Sequence, residues 1–202
     1  MSNGDPKSGD PKSGDPKSQG ALGFLTVLEH EQQGLVGGYL ILNPAGRPLE
    51  FHCTAPIKAN RAQQILFGPT LEPYLYGEQI GQTLLSKSSI EPLAVCTDVS
   101  LVLSVRDYVS LPVALVLGPE DKPDAAPRNP QVSTWRVDAP HRAGLHLNHF
   151  AVGRNRLAVA VDRDADRETI AARLESLESF DLSEPFERIR EAVEEAQKGG
   201  RA

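Results

Sequence analysis

Phe24-Leu-Thr-Val-Leu-Glu-His30, Leu35-Val-Gly-Gly-Tyr-Leu-Ile-Leu-Asn43 and Leu49-Glu-Phe-His-Cys-Thr54 decide the reading of this chain, with Gln33-Gly34 and Pro44-Ala45-Gly46 between them. Short β-prone runs punctuated by Gly and Pro predict an antiparallel meander that begins near Gly20. The middle run, residues 35–42, is apolar on both of its faces and is interrupted by the paired glycines Gly37 and Gly38. A strand apolar on both faces belongs to a sheet covered on both sides, and paired glycines mark a bulge or a close approach.

Downstream, Pro56 ends the meander, and Asn60 with Gln63 forms a capping signal for a short helix carried by Ala62, Ile65 and Leu66 and stopped by Gly68-Pro69. A second helix runs from Thr70 to about Ser86 with Leu71, Leu75, Ile80 and Leu84 near one face. Leu93–Thr97 reads as a strand, Asp98 as the cap of a helix bearing Leu101, Val102, Val105 and Val109, and Pro112–Leu117 as the next strand. Strand, helix and strand with short connections predict a parallel crossover. Residues 118–143 hold five prolines and read as a loop with an edge strand near Val132–Val137. Leu145–Val152 and Leu157–Val161 form a hairpin around Gly153-Arg-Asn-Arg156. Two helices follow: one capped by Asp164 with Ile170, Leu174 and Leu177 inward, and one capped by Ser183 with Phe186, Ile189 and Val193 as its stripe. The expectation is a mixed α/β fold in three parts: a disordered tail at 1–19, a body at 20–161 and an acidic helical segment at 162–198.

The tail repeats Gly-Asp-Pro-Lys-Ser three times between residues 4 and 18. A five-residue unit without an apolar side chain has nothing to bury against its backbone ordering cost, so it reads as a spacer or as low-complexity sequence. The 202 residues are 40% hydrophobic and 24% charged, ordinary values for a globular chain. No apolar run approaches the ~18 residues of a membrane span, so no membrane partner is expected. The start carries no secretory pattern and there are two cysteines, Cys53 and Cys96. These features favour a reducing cytoplasm with free thiols. Of the net charge of -6, residues 162–202 carry twelve acidic against seven basic side chains. No basic stripe exists, Arg154 and Arg156 reading as solvated turn residues, so nucleic acid is not expected as a partner.

Four groups of residues bear on chemistry. In Phe51-His52-Cys53-Thr54 a thiol sits beside an imidazole, the raw material of an activated nucleophile. Alternation along a strand puts Leu49, Phe51 and Cys53 on one face and Glu50, His52 and Thr54 on the other, so Cys53 as a nucleophile needs another base, His30 or His149. His141, His146 and His149 lie within nine residues. His146 and His149 project oppositely along a strand, so no metal is expected there. Asp162-Arg-Asp-Ala-Asp-Arg-Glu168 opens like a calcium loop, but Arg167 and Arg173 stand where the loop needs Gly and Glu. Tyr74, Gly77, Glu78 and Gly81 mark either a close helix contact or the wall of a ligand cleft. Phosphate-loop, dinucleotide and nucleophile-elbow motifs are missing from the sequence, and no cofactor is expected.

In outline, the meander followed by a helix over residues 22–90 resembles the small sheet-plus-helix modules of the roadblock and longin kind, which implies a dimerisation or docking platform. The crossover at 93–117 departs from that plan. The resulting expectation is a non-catalytic cytoplasmic interaction module with an unknown protein partner or self-association through Phe186, Ile189 and Val193. The competing expectation is a small-molecule binder or a cysteine-dependent enzyme using Cys53 with a histidine such as His149.

Overall fold

The computed structural model describes residues 20–30, 33–118 and 146–199. The repeat tail, the expected edge strand at 132–137 and His141 lie outside them. Seven strands form a sheet: β1 (Leu22–His30), β2 (Gly34–Leu42), β3 (Pro48–Cys53), β4 (Val95–Thr97), β5 (Val113–Leu117), β6 (Leu147–Val152) and β7 (Asn155–Ala160). Their order is β3-β2-β1-β4-β5-β7-β6. The meander β1-β2-β3 and the hairpin β6-β7 are antiparallel, while β4 runs parallel to both β1 and β5. A mixed α/β fold is therefore present, with the meander and the hairpin placed on either side of the parallel crossover.

Helices cover both faces. On one lies α1 (Arg61–Phe67), followed by a helical run that is α at Leu71–Pro73 (α2), π at Tyr74–Gln82 and α again at Thr83–Lys87 (α3), together with a 3₁₀ helix at Ser100–Asp107. Leu75, Ile80, Leu84, Val102 and Val105 pack there against Leu25, Tyr39, Ile41, Val95 and Val113. On the other face α4 (Ala165–Leu174) and α5 (Glu184–Gly199) bring Ile170, Leu174, Phe186, Ile189 and Val193 against Phe24, Leu40, Cys96 and Val159. The Phe24 ring meets Phe186 edge to face at 5.7 Å.

Gly37 and Gly38 explain how β2 is sandwiched. A Cβ at Gly37 would stand 2.2 Å from Ile80 Cγ2, and one at Gly38 would stand 2.3 Å from Ile189 Cγ2. Both helices thus approach the strand backbone more closely than any side chain permits. In the hairpin turn Gly153 has φ +55°, and Asn155 ties the turn to the α4–α5 connection by donating to Phe180 O (2.8 Å) and accepting from Leu182 N (3.0 Å).

Several expectations are corrected. The stripe Phe186, Ile189 and Val193, read as an interaction surface, is 2%, 0% and 3% exposed and forms core with β1 and β2. Burial of three such side chains stabilises by about 1.5–3 kcal/mol each, which a free docking face would forgo. Leu49 does not share a face with Phe51 and Cys53, because the register shifts between Ile41 and Leu42 and Leu49 packs with the Tyr39 side. Asp98 does not cap the helix after it; Val99 is the cap residue and has no side-chain cap bond. Asp164 is likewise not a side-chain cap, its carboxylate accepting from Asn148 Nδ2 at 2.8 Å. The helix expected from Thr70 to Ser86 is largely π-helical, which matches the five-residue step from Leu75 to Ile80.

Candidate functional site

Among the described residues the thiols and imidazoles do not gather. Cys53 is half-buried beside the α5 face of the sheet, and Cys96 is fully buried, where desolvation pushes its thiol up to about 12. Cys53 lies on β3 and His149 on β6, the two opposite edges of the sheet. Six strand steps of about 4.8 Å put them roughly 25–30 Å apart, so His149 is not a base for Cys53. His52 turns to Glu50 instead, Nε2 to Oε2 at 3.1 Å. Both His146 and His149 are exposed. Among the described residues no group of three or more His, Cys, Asp or Glu side chains could hold a metal ion.

The residues read as a ligand wall take separate roles. Tyr74 stacks on Phe67 with ring centroids 4.1 Å apart. A Cβ at Gly77 would meet Ser104 Oγ at 2.6 Å, and one at Gly81 would meet Val105 Cγ2 at 2.7 Å, so the π-helix lies against the 3₁₀ helix. Glu78 reaches the Tyr108 hydroxyl, which with burial raises that phenol's pKa.

Sequence reading missed the cleft next to them. Where α3 ends, Ser88 and Ser89 wrap the Glu50 carboxylate: Ser88 Oγ donates at 2.8 Å, Ser89 N at 3.2 Å, and Ser89 Oγ donates as well. Burial alone would raise the Glu50 pKa, but the bonds from Ser89, His52 and Ser88 outweigh it and hold the carboxyl at about 2. Ser88 also closes its own turn, accepting from Ile90 N at 3.1 Å. The fixed turn forms one wall of a cleft of about 170 Å³ whose lining includes Tyr39, Ser88, Ser89, Glu91 and Leu111. A wider cleft of about 450 Å³ adjoins it, sharing Leu85, Glu91 and Leu111 and adding Gln82 and Tyr108.

Tyr39 is the unusual member. It is 0% exposed, and its hydroxyl lacks a hydrogen-bond partner among the described residues. The hydroxyl lies over Gly23, whose missing side chain gives it room: a Cβ there would be 2.6 Å away. Burial first, then the Glu50 charge, pushes the phenol pKa upward, so Tyr39 stays neutral. The signal was present as Tyr39, Glu50, Ser88-Ser89 and Glu91, but these are spread over fifty residues and carry no motif.

A second polar cluster lies past the other end of β4. Asp98 there contacts Arg190 of α5. Burial raises the Asp98 pKa, against the lowering effect of the Thr26 hydroxyl and the Arg190 guanidinium. Among the described residues no helix is long and apolar enough to cross a membrane.

No protein-family model and no curated protein matches the chain. A solved structure of endonuclease V from Ciona intestinalis, in complex with a 23mer DNA containing an inosine followed by a ribo-adenosine, is similar over 48% of this chain and 45% of its own, with 15% identity and a TM-score of 0.33. The expectation that nucleic acid is no partner is corrected by this finding, since the similar structure holds DNA. A likeness at that TM-score supplies no argument about what this chain binds or does.

Proposed function

We propose that the chain is a non-catalytic cytoplasmic interaction module that presents α1 to the apolar groove of a protein partner. One observation carries the reading: α1 buries none of its residues, and Ile65 and Leu66 are 66% and 81% exposed. With Ala62, also exposed, they occupy positions i, i+3 and i+4 of the helix, an apolar stripe turned outward. Burying an Ile or Leu stabilises by about 1.5–3 kcal/mol, so leaving both in water forgoes a core contribution. The helix is held instead by local chemistry. Asn60 Oδ1 accepts from Gln63 N at 2.9 Å, Gln63 Oε1 accepts from Asn60 N at 3.0 Å, and Phe67 stacks on Tyr74. A seven-residue helix is marginal on propensity alone, so a complete capping box on an outward stripe amounts to a preorganised ligand helix. Lys58 and Arg61, both exposed beside the stripe, favour a groove with an acidic rim. The area of one short helix is small against the ~800 Å² per side of a stable dimer, which favours a partner's groove over self-association.

The test places a photo-crosslinking amino acid at Leu66 and, as control, at Glu168 on α4. The reading expects a discrete adduct from position 66 only, abolished by Ile65→Ser, with the unfolding midpoint of Ile65→Ser/Leu66→Ser unchanged. The same adducts from both positions, or a double variant that unfolds, would make α1 ordinary surface or core.

A further inference from the structure

The cleft over Tyr39 is independent of α1 and has its own chemistry. Its lining includes Tyr39, whose hydroxyl is fully buried over Gly23 without a partner among the described residues, an expensive arrangement unless something polar reaches it. Its rim holds Glu91, the only charged side chain lining either cleft among the described residues, and behind Ser88 and Ser89 stands the ionised Glu50. An anionic ligand would face two carboxylates with no cation in the lining. Ser88 is committed to Glu50 and to its own turn, so the hydroxyl of Tyr39 and the carboxylate of Glu91 remain to receive a hydrogen-bond donor. Between the two clefts run Leu85 and Leu111, an apolar strip leading to the half-exposed Tyr108 ring.

We propose that this cleft binds a small primary amine, its ammonium head received by the Tyr39 hydroxyl and Glu91 and its apolar tail laid along Leu85 and Leu111 toward Tyr108. The size agrees: a cavity near 150 Å³ accommodates a benzene-sized group, and the smaller cleft measures about 170 Å³. The turn around Glu50 keeps the wall fixed without touching the ligand, so Glu50 is a positioning residue.

Titration of the whole chain with 2-phenylethylamine and n-butylamine, followed by backbone amide shifts, tests the assignment. Expected are saturable shifts at Ser88–Glu91 and Leu111, with tighter binding for the aryl amine. Butyrate and n-butanol should bind at least tenfold more weakly than butylamine. Tyr39→Phe and Glu91→Gln should each weaken the amines at least tenfold while the spectrum stays folded, Tyr39→Phe because it removes only the unpaired hydroxyl. Absence of shifts at these amides, equal binding of butyrate, or full binding by both variants overturns the proposal. A free amine and a peptide lysine share this chemistry. N-acetyl-lysine methylamide separates them, tighter binding than butylamine assigning a peptide and weaker binding a free metabolite.

Discussion

Gly38→Ala probes whether α5 belongs to the core. The added Cβ would lie 2.3 Å from Ile189 Cγ2 and 3.0 Å from Val193 Cγ2. Carbon atoms rest about 3.5–4.0 Å apart, so α5 must retreat by more than 1 Å or β2 must bend. Overpacking of this kind costs about 1–3 kcal/mol, offset by about 0.5–1 kcal/mol from replacing glycine inside a strand, which leaves a net loss of about 1–2 kcal/mol. Ile189→Ala alone removes a fully buried side chain and costs about 2–5 kcal/mol. It also removes the atom that blocks the new methyl, so the double variant should be no less stable than Ile189→Ala, with a favourable coupling of about 1–2 kcal/mol. Urea unfolding reads these values as midpoint shifts, Gly38→Ala falling by about 0.5–1 M for a slope near 2 kcal/mol/M. If Gly38→Ala is neutral and the two changes add, α5 does not sit on β2 as described, and the stripe of Phe186, Ile189 and Val193 returns as a candidate surface.

Tyr39→Phe should stabilise the unliganded protein by about 1 kcal/mol, since it deletes a buried unpaired hydroxyl; a loss of that size in thermal unfolding would mean the hydroxyl is satisfied. A small alkylating probe should label Cys53 in the native protein and leave Cys96 untouched until denaturant is added, because burial holds the Cys96 thiol at about 12. Asn155→Ala should cost about 2 kcal/mol in urea unfolding, as it orphans Leu182 N–H and frees the α4–α5 connection from the hairpin. Glu50 and Asp98 should act oppositely with pH. The Glu50 pKa is lowered to about 2, so its stabilisation is complete above the unfolded value near 4.3 and is lost as pH falls toward 2. The Asp98 pKa is raised, so its favourable contribution exists below the unfolded value near 3.9 and is lost as pH rises through the folded one. Stability against pH should therefore lose its acid slope in Glu50→Gln and its decline on the rising side in Asp98→Asn.

What could be read from sequence is what local chemistry enforces. Gly, Pro and alternation placed the meander, the crossover strands and the hairpin, and Asn60 with Gln63 announced the capping box. Readings failed where a distant partner decides. Leu49 changed face because β3 pairs with β2 through a register shift, which no pattern inside β3 discloses. The Phe186 stripe and the Ile65-Leu66 stripe look alike as periodicity, yet one meets Phe24 and Gly38 while the other meets solvent. An amphipathic pattern shows that a face is apolar and leaves open whose apolar surface covers it. The five-residue step from Leu75 to Ile80 was the one legible sign of the π-helix, and a 3.6-residue template hides it.

The two polar clusters at opposite ends of β4 bear on where a ligand can enter. Open α/β sheets receive ligands beyond the carboxyl ends of their parallel strands, where helix N-termini and loops leave a crevice. Here the carboxyl end of β4 delivers Asp98 directly to Arg190, so α5 spans that crevice with an ion pair and covers β1 and β2 beside it. At the amino ends, by contrast, Pro92 ahead of β4 and Leu111 ahead of β5 stand apart, and Tyr39 reaches beneath them over Gly23 because that residue has no side chain. The opening left by the described residues is therefore at the end of the sheet that such folds normally close. Its polar groups come from β2, β3 and the turn after α3, which explains why the residues that wall it are so far apart in the chain. Filling the space over Gly23 closes this route: in Gly23→Ala the new Cβ would strike the Tyr39 hydroxyl and push the ring into the cleft, so amine binding should be lost although the substituted residue lies two strands away from Glu50.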